Sequence, residues 1–173
     1  MVSISADQRF STSGAERPGS DCNAVQLGAS AKVERRTAAL TVAYLVDSDW
    51  VIEFLADVPE AVELLERLAD DDIAISIIIY MEVYEGVRRS ARAREVERKL
   101  DAFLTTVPLL PFSTAVARRC ARLRAELRRQ GKRVNARALD LLIAATALEH
   151  NLTLVTRNVK DYADIPGIRL YNN

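Results

Sequence analysis

The segment Val42-Ala43-Tyr44-Leu45-Val46-Asp47 decides the fold of this 173-residue chain. A near-continuous apolar run that ends at an acid is typical of a strand buried on both faces of a parallel sheet. Apolar residues at helical spacing follow in two short segments, 48–55 and 59–68, the second opened by Pro59. The strand and its two helices predict an α/β domain.

The rest of the chain repeats this alternation of strand and helix. Further strands are predicted at 73–75, 107–110 and 152–155 with a fifth around 168–171, and further helices at 76–88, 91–104, 113–131 and 139–149. Ser48, Ser76 and Ser113 are predicted N-caps, and Gly131 is predicted to end the long helix. The alternation favours a three-layer architecture, in which helices flank a central parallel β-sheet.

Residues 1–40 have a different composition, rich in small and polar residues and poor in large apolar ones. Such a segment buries too little surface to offset its ordering entropy, so we expect a disordered extension or sequence upstream of the natural start. The folded domain is predicted to span 41–173. No uncharged stretch is long enough to cross a membrane. The two cysteines, Cys22 and Cys120, form no disulfide framework, and we therefore expect a cytoplasmic protein.

Positive and negative charges are equal in number, 24 each, but they are unevenly distributed. The segment 47–85 contains twelve carboxylates and one basic residue, whereas the segment 118–137 contains nine basic residues and one acid. One surface that gathers cations and another that gathers polyanions would produce this pattern. Solvated helix faces would produce it as well, and for either segment taken alone they are the more common origin.

Several kinds of catalytic site are excluded by the residues available. His150 is the only histidine, so neither a zinc site of the usual His/Cys type nor a Ser-His-Asp relay can be assembled. The six glycines form no phosphate-binding loop. Carboxylates are the remaining candidates for the chemistry.

Acidic residues occur where predicted strands end or helices begin, at Asp47, Asp49, Glu82, Asp140 and Asp161. Ligands of open parallel sheets bind at the carboxyl ends of the strands, where some of these acids are expected to meet. Three or four converging carboxylates repel one another unless a divalent cation neutralises them. Oxygen ligands favour Mg²⁺, or Mn²⁺, over zinc. Each acid taken singly is more often a helix cap or an exposed charge, and the set is more persuasive than any member.

Four blocks of sequence, taken together, resemble the PIN-domain ribonucleases, and most closely the VapC-type toxins of bacterial toxin–antitoxin systems. The blocks are 45–49, Ser76-Ile77 with Glu82 and Gly86, 139–147, and 154–162. The resemblance implies a Mg²⁺-dependent endoribonuclease that cleaves single-stranded RNA, forms a homodimer and is silenced by a cognate antitoxin protein.

The resemblance also implies a site. The metal-binding, catalytic acids of the family fall on Asp47, Glu82 and Asp140. A fourth family acid falls on Asn158, which departs from the pattern and leaves the number of metal ions open. Thr156, Asn158 and Asp161 are then candidates for the residues that support the ligands.

Two surfaces are predicted to bind partners. Arg122, Arg129 and Arg133, spaced by seven and four, are candidates for a basic stripe that holds the RNA backbone. The apolar helices at 50–55 and 62–68 are candidates for an antitoxin-docking site, although packing on the sheet explains them equally well.

Two alternative functions remain open at this stage. The motif Asp47-Ser48-Asp49 after an apolar strand also matches the start of haloacid-dehalogenase-like phosphatases, in which Asp47 would be the nucleophile and Asp49 the acid. The other alternative is a catalytically degenerate PIN domain that only binds RNA or a protein.

Overall fold

The computed structural model describes residues 43–69 and 72–172. The extension at 1–40 and the first residue of the opening segment, Val42, lie outside the described residues.

In the residues described, five strands form one sheet: β1 (Tyr44–Val46), β2 (Ile73–Ser76), β3 (Leu109–Leu110), β4 (Thr153–Val155) and β5 (Arg169–Leu170). Their order across the sheet is β3-β2-β1-β4-β5, and every neighbouring pair is parallel. All four residues of β2 are buried. Because successive strand residues point to opposite faces, both faces of the sheet are covered at β2. The predicted α/β class with a central parallel sheet is confirmed.

Seven helices are present in the described part of the chain: α1 (Ser48–Leu55), α2 (Pro59–Ala69), α3 (Ile77–Arg89), α4 (Ala93–Leu104), α5 (Thr114–Arg129), α6 (Ala138–Glu149) and α7 (Val159–Tyr162). Six of them correspond to predicted helices. The short α7 was not predicted, because four residues are too few to show a helical repeat.

Two of the three predicted serine caps are confirmed. The hydroxyls of Ser76 and Ser113 each accept a backbone N–H three residues ahead, at 3.2 Å. At α1 the prediction was wrong by one residue. The cap is Asp47, which has extended backbone angles and whose carboxylate accepts the N–H of Ser48 at 2.8 Å. Aspartate is a favoured cap because its side-chain oxygen satisfies a free N–H group at the helix start.

The end of α5 changes the geometry of the predicted basic stripe. The helix stops at Arg129, and Gly131 follows with a φ of 74°, the left-handed conformation that glycine adopts at helix ends. Arg133 therefore lies beyond the helix, and its four-residue spacing from Arg129 does not place the two on one helical face.

The sheet order brings the ends of three strands together. β1 lies between β2 and β4, and Val46 is paired in register with Val155. The next residue, Asp47, donates its backbone N–H to the carbonyl of Val155 at 2.9 Å. Asp47 and Thr156 are consequently neighbours at the carboxyl edge of the sheet.

No helix among the described residues is both long and apolar enough to span a membrane.

Candidate functional site

Asp47 is the most deeply buried acid at the carboxyl edge, with 5% of its surface exposed. One carboxylate oxygen accepts the N–H of Ser48, and the other accepts the hydroxyl of Tyr162 at 3.2 Å. The Thr156 hydroxyl donates to the same carboxylate. Burial raises the pKa of Asp47, and these three hydrogen bonds act in the opposite direction.

Glu82 and Asp140 approach Asp47 from two helices. Glu82 lies in the second turn of α3, and Asp140 in the first turn of α6. The pKa of each is raised, first by burial and in part by the negative charge of Asp47. Asp140 likewise raises the pKa of Glu82. The structure thus brings the three predicted acids into one electrostatically coupled group.

The acids do not form a closed ligand set as they stand. Within 43–69 and 72–172, no group of three acidic, histidine or cysteine side chains has an arrangement ready to hold a metal ion. Like-charged carboxylates repel, and a cation between them is what favours a closer approach. The chemistry of the donors fits a hard divalent cation, since carboxylate and hydroxyl oxygens line this edge while Cys120 is on α5 and His150 follows α6.

The residues after β4 are connected to the same acids. The side-chain amide of Asn158 donates to the Asp161 carboxylate, and its backbone N–H donates to the Thr156 hydroxyl at 3.1 Å. The charge of Asp161 raises the pKa of Asp140. Asp161, in α7, is therefore a fourth carboxylate in the group, and Asn158, which directly precedes that helix, donates to it.

Asp49 is close to Asp47 but has a different environment. Its two oxygens accept the backbone N–H groups of Trp50 at 2.7 Å and Arg157 at 2.8 Å. Burial, followed by the charge of Asp47, raises its pKa. A carboxylate that holds two backbone amides is engaged as a structural link, which argues against the proton-transfer role that the phosphatase alternative gives to Asp49.

Arg157 was not predicted to have a role, yet it connects three elements. Its guanidinium lies 3.8 Å from the ring centre of Trp50, and it forms ion pairs with Glu53 of α1 at 2.7 Å and Glu60 of α2 at 3.0 Å. These contacts hold the loop after β4 against the first two helices. Residues 97 or more positions apart meet here, so no local pattern could have revealed the contact.

Tyr162 and Ser48 were likewise given no role in the predicted site. The Tyr162 hydroxyl contacts Asp47, and the Ser48 side chain forms a hydrogen bond with Glu82. Burial, and then the nearby charges led by Asp47, raise the pKa of Tyr162. The available signal was position: Ser48 directly follows Asp47, and Tyr162 directly follows Asp161.

The predicted RNA-binding arginines lie on α5 and just beyond its end, whereas Glu82 and Asp140 lie on α3 and α6 and Asp47 follows β1. Arg122 and Arg129 are exposed on α5, beside a groove that also includes Leu148 and Pro166, and Arg133 is exposed beyond the helix. Arg129 forms an ion pair with Glu126. In the described residues, no hydrogen bond or ion pair joins the three arginines to the carboxylate group.

The two apolar helices predicted as a docking site are largely used by the core. Trp50, Val51 and Leu55 of α1 are buried, as are four residues of α2. The accessible side chains of these helices contribute to two grooves. One, of about 170 Å³, lies between α1, α3 and α4 and includes Ile52 and Gly86. The other, of about 470 Å³, includes Phe54.

Comparison with known proteins agrees with this architecture. Residues 44–167 match the PIN domain family. Ribonuclease VapC2 of Rickettsia felis is 34% identical over 131 residues, which cover 75% of this chain and 96% of the relative. The match excludes the haloacid-dehalogenase-like alternative, which requires a different fold.

Solved structures give the same result. The crystal structure of VapBC2 from Rickettsia felis, bound to a DNA fragment from its promoter, aligns with a TM-score of 0.68 and 32% identity, and covers 76% of this chain and 99% of that one. A toxin–antitoxin complex from Klebsiella pneumoniae aligns with a TM-score of 0.58 and 33% identity, and covers 76% and 100%. The chain therefore belongs to the PIN-domain family and, within it, to the VapC-type ribonucleases.

Proposed function

We propose that this chain is the toxin of a toxin–antitoxin pair, an endoribonuclease that cleaves single-stranded RNA with the help of a divalent cation, Mg²⁺ or Mn²⁺. The observation that carries the proposal is the coupling of Asp47, Glu82 and Asp140. They lie at the edge where parallel sheets bind ligands, and the Asp47 charge raises the pKa of the other two. A group of this kind is stabilised by a cation.

The proposed roles follow from the contacts of each residue. Asp47, Glu82 and Asp140 are the metal ligands and catalytic acids. A divalent cation held by these residues would supply Lewis-acid chemistry at a phosphate group and would lower the pKa of a nearby water. Thr156 holds the Asp47 carboxylate, and Asn158 orients Asp161 toward the group.

The proposed RNA-binding surface includes the exposed arginines of α5 and the turn after it. Arg122 is the strongest candidate, because the charge of Arg129 is partly balanced by Glu126. Arg133 extends the basic surface beyond the helix end. Contacts of this kind hold the phosphate backbone without reading its sequence, and they weaken as salt concentration rises.

We also propose an antitoxin partner, as in the toxin–antitoxin complex that the chain resembles. The groove between α1, α3 and α4 offers an apolar surface that includes Ile52, which is 40% exposed. The neighbouring acidic group would attract a basic side chain of the partner. The proposal includes a homodimer and a toxin–antitoxin hetero-oligomer in the cytoplasm.

The decisive experiment is cleavage of single-stranded RNA by the full chain with Mg²⁺, with Mn²⁺ and with excess EDTA. We expect endonucleolytic products with either metal and none in EDTA, with activity restored when metal is returned. Cleavage that persists in EDTA would overturn the metal assignment. RNA binding with no cleavage under any of these conditions would favour the catalytically degenerate alternative.

A further inference from the structure

We propose that Tyr162 is a positioning residue, whose hydroxyl orients the Asp47 carboxylate for cation binding. The inference rests on the proposed function, because it assumes that Asp47 is a metal ligand. It goes beyond that function by assigning a role to a side chain that the predicted set of site residues did not include.

The first support is the contact itself. The hydroxyl of Tyr162 donates to Oδ2 of Asp47 at 3.2 Å, across 115 residues of sequence. Both side chains are buried, with 2% of Tyr162 and 5% of Asp47 exposed. The other carboxylate oxygen, Oδ1, accepts the N–H of Ser48. With both oxygens hydrogen-bonded, the carboxylate has a fixed rotation about its last bond.

The second support is the way in which the fold anchors Tyr162. The tyrosine ends α7, and the chain around it is held by Arg137, which directly precedes α6. The Arg137 guanidinium donates to both carboxylate oxygens of Asp164, at 2.8 and 3.1 Å, and to the backbone carbonyl of Asp161. Bidentate arginine–carboxylate pairs have a well-defined geometry. The same helix, α6, carries Asp140, so the hydroxyl of Tyr162 and the Asp140 carboxylate share one scaffold.

The third support is the chemistry of the hydroxyl. A phenylalanine ring would fill the same space, so packing alone does not require an oxygen in this buried position. Carboxylates that bind metals are held by further hydrogen bonds, and loss of such a partner typically costs about 10–100-fold in metal affinity or activity. Tyr162 lies beside Asp47 and has a hydroxyl that donates to its carboxylate, as this role requires.

The test is Tyr162→Phe, which removes the hydroxyl and keeps the ring. Mn²⁺ affinity of the full chain is measured without RNA, by calorimetry or electron paramagnetic resonance. We expect binding about tenfold or more weaker than in the unmodified protein. At saturating Mn²⁺, we expect the RNA cleavage rate to recover to near the unmodified value with an unchanged KM for RNA. A general packing defect would not be rescued by metal.

The matched control is Tyr84→Phe. Its hydroxyl also donates to a carboxylate, that of Glu97 at 2.9 Å, but between α3 and α4. We expect its Mn²⁺ affinity to be unchanged. Asp47→Asn serves as the reference for a lost ligand.

The outcomes separate the two proposals. If Asp47→Asn abolishes Mn²⁺ binding while Tyr162→Phe leaves it unchanged, the role of Tyr162 is wrong and the metal site stands. If saturating Mn²⁺ does not restore cleavage in Tyr162→Phe, the positioning role is likewise wrong. If the unmodified protein binds no Mn²⁺, the metal site and the positioning role both fail.

Discussion

The carboxylate of Asp49 accepts the backbone N–H of Arg157 at 2.8 Å, which ties the start of α1 to the loop after β4 across 108 residues. Its other oxygen accepts the N–H of Trp50. Asp47 lies two residues before Asp49, and Thr156 directly precedes Arg157. The bond therefore fixes the relative position of the two chain segments that meet at the acidic group.

Replacement of Asp49 by alanine is expected to destabilise the domain. The backbone amides of Trp50 and Arg157 would lose their acceptor, and a hydrogen bond typically contributes about 0.5–1.5 kcal/mol to stability. Urea unfolding should show a free energy of unfolding lower by about that amount. Asp101→Ala, at an exposed position of α4, is the control and should change stability by less than about 0.5 kcal/mol. Equal stability of the two variants would contradict the structural role of Asp49.

Asp47→Asn and Asp140→Asn should each abolish RNA cleavage while the fold survives. Loss of a ligand should cost more than the roughly 10–100-fold typical of supporting residues, so we expect a rate at least about 100-fold lower. Asparagine at position 47 keeps an oxygen that can accept the N–H of Ser48. It also removes the buried negative charge of Asp47, whose pKa is raised by burial, so we expect the fold to survive. Thermal unfolding checks the fold, and Asp101→Asn is the matched control. Full activity in either variant would refute the site assignment.

The stability of the metal-free protein should decrease as pH rises above about 4. Burial raises the pKa values of Asp47, Glu82 and Asp140. Such groups stabilise the fold below their unfolded pKa of about 4, and that contribution is lost as pH rises through the folded value. The Arg137–Asp164 pair contributes to stability with the opposite pH dependence. Arg137 lowers the pKa of Asp164, so the stabilisation from this pair is lost on acidification below about pH 4.

Thermal unfolding in EDTA from about pH 4.5 to 7.5 measures this trend. Excess Mn²⁺ should reduce or reverse it, because a bound cation favours the ionised carboxylates. Asp47→Asn should show a weaker decrease in EDTA. A melting temperature that rises with pH in EDTA would contradict the prediction.

Arg122→Ala should weaken RNA binding and lower its salt dependence. For single-stranded nucleic acid, each phosphate contact contributes about 0.7 to the slope of log affinity against log salt concentration, and the slope should fall by roughly that amount. Arg129→Ala should have a smaller effect, because Glu126 already pairs with Arg129. Filter binding at several salt concentrations measures both. Arg94→Ala, exposed on α4, is the control. A slope unchanged by Arg122→Ala would exclude this surface from RNA binding.

The sequence was most informative where the signal is local. Alternating strands and helices predicted the parallel sheet, and the caps at Ser76 and Ser113 followed from one residue and its position. The cap of α1 was misassigned because Asp47 and Ser48 are adjacent and both are good capping residues. The structure chose Asp47, which therefore both caps a helix and joins the acidic group.

The candidate site was predicted only in part, because some of its contacts join residues that are far apart in the sequence. Asp47 follows a predicted strand, and Glu82 and Asp140 lie on predicted helices. The resemblance to the PIN-domain ribonucleases, rather than periodicity, selected these three acids as site residues. The contacts of Tyr162 with Asp47 and of Arg157 with Asp49 join residues more than 100 positions apart. No spacing rule reaches across that distance, since only the pairing of β1 with β4 brings these segments together.

The sequence by itself determined the order of strands and helices, because buried and exposed residues repeat with the period of each element. It also determined which acids occur after strands or on the following helices, and the resemblance to the PIN-domain ribonucleases selected three of them as site residues. The tertiary structure alone decided how those acids are held and which neighbours support them. Hydrogen bonds and charge coupling depend on distances between atoms, and those distances are set only when β1, β4 and α7 pack against one another.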